Sequence, residues 1–142
     1  MTINEVQQQL VEEFSVFTDW MDKYGYIIEL GKEVPELESS KKTKQNLIQG
    51  CQSQVWLHAE YRDGLVFFQT DSDAILTKGL AFMLVKVFNG QKPDDIINND
   101  PWFIEKLDLQ QHLSPTRANG LTSMVKQIKL YAIAYKAKNE SK

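Results

Sequence analysis

The residues from Ala74 to Phe88 constrain the fold more than any other stretch. Apolar side chains stand at Ile75, Leu76, Leu80, Phe82, Met83, Leu84, Val85, Val87 and Phe88, which leaves a helix through them no broad polar side. A helix that is apolar on most sides has to be central, with the rest of the chain wrapped around it. Asn89-Gly90 is the stop signal that follows. A chain of 142 residues is long enough for such wrapping, since folding at this size buries roughly two thirds of the extended chain's surface. The apolar share of 42% reaches the ordinary globular range once the 7 glycines are added. The length suits one domain, 1–142.

The flanking segments show two different periods. Thr2 and Glu5 form a capping-box pair, and Ile3, Val6, Leu10, Phe14, Phe17, Met21 and Tyr24 then recur at steps of three and four. That is one face of an amphipathic helix. The pattern blurs near Gly25, where a break into two helices is expected, and Pro35 ends the helical region. Ser39–Gln45 reads as an exposed polar connection. Gln54–Tyr61 and Leu65–Thr70 are β-type runs separated by Arg62-Asp63-Gly64, a hairpin signal. Leu47–Gln49 is expected to add a third short strand, because an isolated hairpin is marginal in water. Asp71-Ser72-Asp73 offers acceptors for the start of the central helix. Lys92-Pro93-Asp94-Asp95 opens a short helix that closes at Asn98–Pro101. A last helix carries Leu121, Met124, Val125, Ile128, Ala132 and Tyr135 on one stripe. The expected class is α+β, a small antiparallel sheet of about three strands packed against helices from both ends of the chain.

Composition removes several functions. Sixteen basic and nineteen acidic residues leave a net charge of -3, without the field that general nucleic-acid binding requires. One cysteine and two separated histidines exclude an internal disulfide and leave no Cys/His zinc set, so no metal is expected. No apolar run approaches the ~18 residues of a membrane helix. Met1–Glu5 has no signal-peptide character, which makes the cytoplasm the expected location. There is no phosphate loop and no dinucleotide fingerprint.

Cys51 is the residue that attracts chemistry. Free cysteine is commonly a small buried hydrophobe, but Cys51 lies in Gly50-Cys51-Gln52-Ser53-Gln54, a polar loop leading into a strand. Gly50 would leave room beside the sulfur. A thiol works as a thiolate, and a nearby cation or backbone N–H groups would lower its pKa. With Ser114 as cap and Pro115 as first helical residue, Arg117 falls in the first turn, where a positive charge opposes the helix dipole. Such a charge invites pairing with a carboxylate or a sulfur anion; the alternative is a solvated or salt-bridged arginine. Asn119-Gly120 could instead mark a turn before the helix. His58 and His112 are the only candidates for a Cys–His hydrolase, and neither has the context of an oriented base. Asp71–Asp73 needs no role beyond capping. Trp102 and Phe103 are expected in the core, with an exposed partner-binding patch as the alternative.

Three segments in order then resemble one family. Gly50-Cys51-Gln52-Ser53-Gln54-Val55-Trp56-Leu57 is similar to the signature of the SufE family, the sulfur acceptors of iron–sulfur cluster assembly. Asp71-Ser72-Asp73-Ala74-Ile75-Leu76-Thr77-Lys78-Gly79-Leu80 resembles that family's Asp-Ser…Lys-Gly-Leu helix start, and Leu113-Ser114-Pro115-Thr116-Arg117-Ala118-Asn119-Gly120-Leu121 its Leu-Ser/Thr-Pro-Ser/Thr-Arg…Gly-Leu segment. The resemblance implies an accessory sulfur-transfer protein rather than an independent enzyme. A PLP-dependent, SufS-like cysteine desulfurase would hold sulfur as a persulfide, Cys51 would accept it, and a SufBCD-like scaffold complex would receive it. No cofactor on this chain is implied. A homodimer is compatible with it. Gly50, Gln52, Ser53, Gln54 and Arg117 become the expected supports of the loop and its sulfur anion. A carrier must shelter its sulfur against the body at rest, because exposed persulfides oxidise or exchange, and must extend it when docked. An interaction module with an inert, buried Cys51 is the rival.

Overall fold

The computed structural model describes residues 1–51 and 53–140. Seven α-helices and one two-stranded sheet are found among them. The class is α+β, and the order is helices, hairpin, helices.

The first helix, α1 (Ile3–Phe14), begins with the expected box: Glu5 N–H donates to Thr2 Oγ1 at 3.1 Å and Thr2 N–H to Glu5 Oε1 at 2.9 Å. Its buried face is Ile3, Val6, Gln7, Leu10 and Phe14. The break comes at Ser15–Asp19 rather than near Gly25. Ser15 Oγ bonds back to the Glu12 carbonyl, and Asp19 caps a new helix, α2 (Trp20–Lys32), through the Met21 N–H. A polar cap therefore outweighs the continuing apolar period, and Met21 points outward. Gly25 lies inside α2, and the helix stops before Pro35.

Two short 3₁₀ turns, Ser39–Lys41 and Lys44–Asn46, form the connection to the hairpin. Strands β1 (Val55–Arg62) and β2 (Leu65–Ser72) pair antiparallel, with Arg62 opposite Leu65 and Val55 opposite Ser72. The two-residue turn takes positive φ at both Asp63 (54°) and Gly64 (80°), as a right-handed hairpin demands. The third strand does not form. Leu47 makes a single bridge to Trp56, and the Ile48 N–H reaches the Val55 carbonyl, before the chain turns away. The hairpin's support comes instead from helices packed on its face.

Chief among these is α3 (Ile75–Phe88), which lies on β2 and is buried from Gly79 to Phe88 except at Phe82 and Lys86. On its other side α2 crosses it closely, at Gly31 and Gly79. After α4 (Pro93–Asn98), two four-residue helices that the sequence pattern does not announce, α5 (Phe103–Lys106) and α6 (Leu109–His112), bring the chain to α7 (Pro115–Glu140). This last helix packs on α3, α4 and β1. Phe103 is core, while Trp102 lies at its edge with the indole N–H on Asn4. No helix among the described residues is long and apolar enough to cross a membrane.

Candidate functional site

Cys51 sits on a short excursion between two fastened points. On one side the Ile48 N–H donates to the Val55 carbonyl at 2.8 Å, and the chain turns at Gly50 with φ +85°. On the other side the Gln54 backbone is held twice. Its N–H donates to Asp73 Oδ1 at 3.0 Å, and its carbonyl accepts from the Asp73 N–H and Ser72 Oγ at 3.2 and 2.8 Å. The Asp71-Ser72-Asp73 triplet is therefore the end of β2 and a clasp for this excursion. It does not cap α3, whose cap residue, Ala74, has no side-chain bond to give.

Asp71 has a further part. It is buried, yet both oxygens are occupied: Lys42 and Lys78 each approach to 3.3 Å, and the Leu37 and Ser72 N–H groups donate at 3.1 and 2.8 Å. Burial pulls its pKa up, but those donors and cations outweigh burial and hold it below the ordinary carboxylate value. One charge thus joins the 35–47 connection, β2 and α3.

Within this frame the Cys51 side chain is half-buried and packs against the core. It faces a cavity of about 260 Å³ between α3 and α7. Thr77, Leu80 and Ala81 line it from α3, and Arg117, Gly120 and Met124 from α7; Ser53 and Val55 close the strand side. The wall is largely apolar, with three hydroxyls and one guanidinium. Gly120 is the residue directly against the sulfur: a β-carbon there would stand 2.9 Å from Cys51 Sγ. Gly50, the neighbour in sequence, serves the turn and faces Ser123 instead.

The thiol is not lowered at rest. Burial pushes the Cys51 pKa up, because the cavity disfavours the charged form. Arg117 lies in the first turn of α7, with Ser114 Oγ accepting its backbone N–H as predicted. Its side chain lines the same cavity but is exposed, with no ion pair among the described residues. Asn119-Gly120 continues the helix rather than preceding it. Ser53 Oγ donates to Thr77 Oγ1 at 3.3 Å, while the Gln54 side chain is exposed. Gln52 lies outside the described residues.

Neither histidine lines the cavity. His58 sits on β1 with its ring nitrogens near Asn46 and Glu60, and His112 stacks on Trp20 at 3.8 Å. A Cys–His pair is thus absent from the site as it stands. Among the described residues no cluster of three or more His, Cys, Asp or Glu could hold a metal ion. What the site offers chemically is one soft nucleophile, half-withdrawn into an apolar recess with a few hydrogen-bond donors at its walls.

Three residues of this arrangement are not assigned to the site by the sequence. Gly120 stands there as a turn signal and a position of a family-like segment, Asp71 as a cap and the start of another such segment, and Thr77 as one position of a helix. A glycine inside an otherwise continuous helical stripe was the available clue to Gly120, since that residue needs a packing reason to be there.

A family model described as "SufE: Fe-S metabolism associated domain" matches residues 8–132. The solution structure of a hypothetical protein from Thermus thermophilus shares the fold, with a TM-score of 0.74 at 19% identity, covering 91% of this chain and 94% of that one.

Proposed function

The chain belongs to the SufE family of Fe–S metabolism associated domains, and on that footing we propose that Cys51 is a sulfur acceptor for a PLP-dependent, SufS-like cysteine desulfurase. The observation that carries this reading is the seat of the Cys51 sulfur: beside an apolar cavity of about 260 Å³, with Gly120 cut back to make room for it. A sulfur needs roughly the space of a water molecule, about 30 Å³. The cavity can therefore take the added atom of a persulfide without expansion.

The step is a thiol exchange. The Cys51 thiolate attacks the terminal sulfur of the desulfurase persulfide; a new S–S bond forms on Cys51, the old S–S bond breaks, and the desulfurase cysteine leaves as thiolate. One sulfane atom has moved with no net oxidation. Because the resting thiol is held protonated by burial, the proton is lost when Cys51 leaves the cavity for the donor. The same withdrawal protects the loaded persulfide from oxidants and stray thiols. Gly50, Ser53 and Gln54 support the excursion that bears the thiol, and Arg117, at the cavity wall and without an ion pair among the described residues, is the cation available to a sulfur anion. The loaded protein then delivers sulfur to a SufBCD-like cluster scaffold in the cytoplasm.

The test is mass spectrometry after incubation with desulfurase and L-cysteine. Wild type should gain one sulfur on Cys51, and Cys51→Ser none, with an unchanged fold by circular dichroism. Sulfur arriving on the serine variant, or none on wild type while the desulfurase is charged, overturns the assignment.

A further inference from the structure

The cavity behind Cys51 contains a donor that the transfer step does not use. Ser53 Oγ and Thr77 Oγ1 are hydrogen-bonded at 3.3 Å, and with Ser53 as the donor the Thr77 oxygen is the acceptor. Its own hydroxyl hydrogen has no acceptor among the described residues. Both residues line the Cys51 cavity. The remaining polar groups there are less suited: Thr116 and Arg117 are exposed and share their donors with water, whereas Thr77 is partly buried on α3. The charged neighbours of Thr77 turn elsewhere, Lys78 to Asp71 and Asp73 to the Gln54 N–H.

A persulfide on Cys51 is a stronger acid than the thiol, and its anion would sit in a largely apolar recess. An anion in such a place is tolerated only where donors meet it. We propose that Thr77, oriented by Ser53, donates its hydroxyl hydrogen to the terminal sulfur of the Cys51 persulfide and holds it as the anion inside the cavity. This rests on the acceptor role proposed above and adds to it the residue that retains the cargo. Ser53 accepts no charge in this scheme; it selects the direction in which Thr77 donates.

The persulfide can be installed without a desulfurase, which separates this claim from the acceptor role. The Cys51 thiolate attacks a terminal sulfur of inorganic polysulfide, forming the Cys51 S–S bond and releasing a polysulfide one atom shorter. Loaded wild type, Thr77→Val and Thr77→Ser are then alkylated with iodoacetamide across a pH series and quantified by mass. Removing a donor to an anion raises the pH at which the anion forms. Thr77→Val should move the midpoint of persulfide alkylation up by about one pH unit, a tenfold loss of ionised fraction at a given pH below it. Thr77→Ser, which keeps the hydroxyl, should stay at the wild-type midpoint. A Thr77→Val midpoint equal to wild type overturns the proposal, and so does a Thr77→Ser midpoint shifted as far as that of valine. Failure of wild type to accept sulfur from a desulfurase, with these midpoints as expected, refutes the acceptor role alone.

Discussion

Gly120 and Cys51 are in direct contact across 69 positions of chain: the place where a Gly120 side chain would begin is 2.9 Å from the cysteine sulfur. Gly120 lies within α7, where glycine is the weakest ordinary helix former. The helix therefore tolerates a locally unfavourable residue so that the thiol can lie flat against it. The same contact sets how deeply the sulfur can withdraw, and so how well it is shielded from water.

Gly120→Ala should expel the thiol partway. The added methyl gains up to about 1 kcal/mol of helix propensity, while the collision is with a side-chain sulfur that can shift. Stability should change little, and the Cys51 sulfur should move toward solvent. Iodoacetamide labelling of the free protein is expected to run several-fold faster than in wild type. Equal labelling rates would show that Gly120 does not govern access.

The raised Cys51 pKa makes stability depend on pH in one direction. In the unfolded chain the thiol ionises near pH 8.5, as an unperturbed cysteine does, whereas the folded protein keeps its proton to higher pH. The contribution is fully present below the unfolded value and is lost as pH rises through the folded one. Tyr26, pushed up to about 12 by burial and by Glu13, has the same sign but titrates higher and is common to both proteins compared. The difference in urea stability between wild type and Cys51→Ser should therefore shift against wild type above about pH 8.5. Parallel curves from pH 7 to about 10.5 would remove the buried-thiol argument.

How far the residues themselves announced this architecture depends on the range of the interaction. Thr2 and Glu5, Asp63 and Gly64, and Ser114 with Pro115 act within four positions of chain, and each does what its local chemistry suggests. The all-round apolar character of α3 likewise placed it at the centre. Asp71 is different. Its two lysines and the Leu37 N–H come from two other segments, the 35–47 connection and α3, so its neighbours in sequence suggested only a cap. The missing third strand has the same origin: Leu47 is β-compatible, but one bridge suffices once α3 and α7 cover the hairpin. Cys51 itself was conspicuous through its polar setting, while its cavity, built from α3 and α7, could be seen only after folding.

Asp71→Asn should be costly. It leaves Lys42 and Lys78 without their shared counter-charge in a buried position. Both lysines keep part of their side chains in solvent, so the loss should be about 1–3 kcal/mol rather than the full cost of a stranded buried charge. Because the folded Asp71 pKa lies below its ordinary value, its contribution is present above the unfolded pKa of about 4 and is lost as pH falls through the folded one. Wild type should therefore lose more stability than Asp71→Asn on acidification below about pH 4. Guanidinium melts at pH 7 and at about pH 3 test both points, and a gap between the proteins that does not narrow would contradict the network described.

Two glycines in the α2–α3 region should respond oppositely to the same substitution. Gly79 lies where α3 crosses α2, and a β-carbon there would collide with the Ile27 carbonyl. Gly31 faces it from α2, with its own β-carbon position 2.9 Å from the Gly79 nitrogen. Neither obstacle is a side chain that can rotate away, so relief requires the helices to separate and unpack the buried stretch from Leu80 to Phe88. Gly79→Ala should destabilise by about 2–3 kcal/mol, the upper part of the usual range for overpacking. Gly25, also inside α2, has nothing within 4 Å of its β-carbon position and ordinary helical backbone. Gly25→Ala should stabilise by up to about 1 kcal/mol through helix propensity alone. Thermal melts of both variants decide the matter: a Gly79→Ala protein as stable as wild type would mean that the crossing is looser than these distances require, and a destabilised Gly25→Ala would mean that this exposed position has a contact of its own.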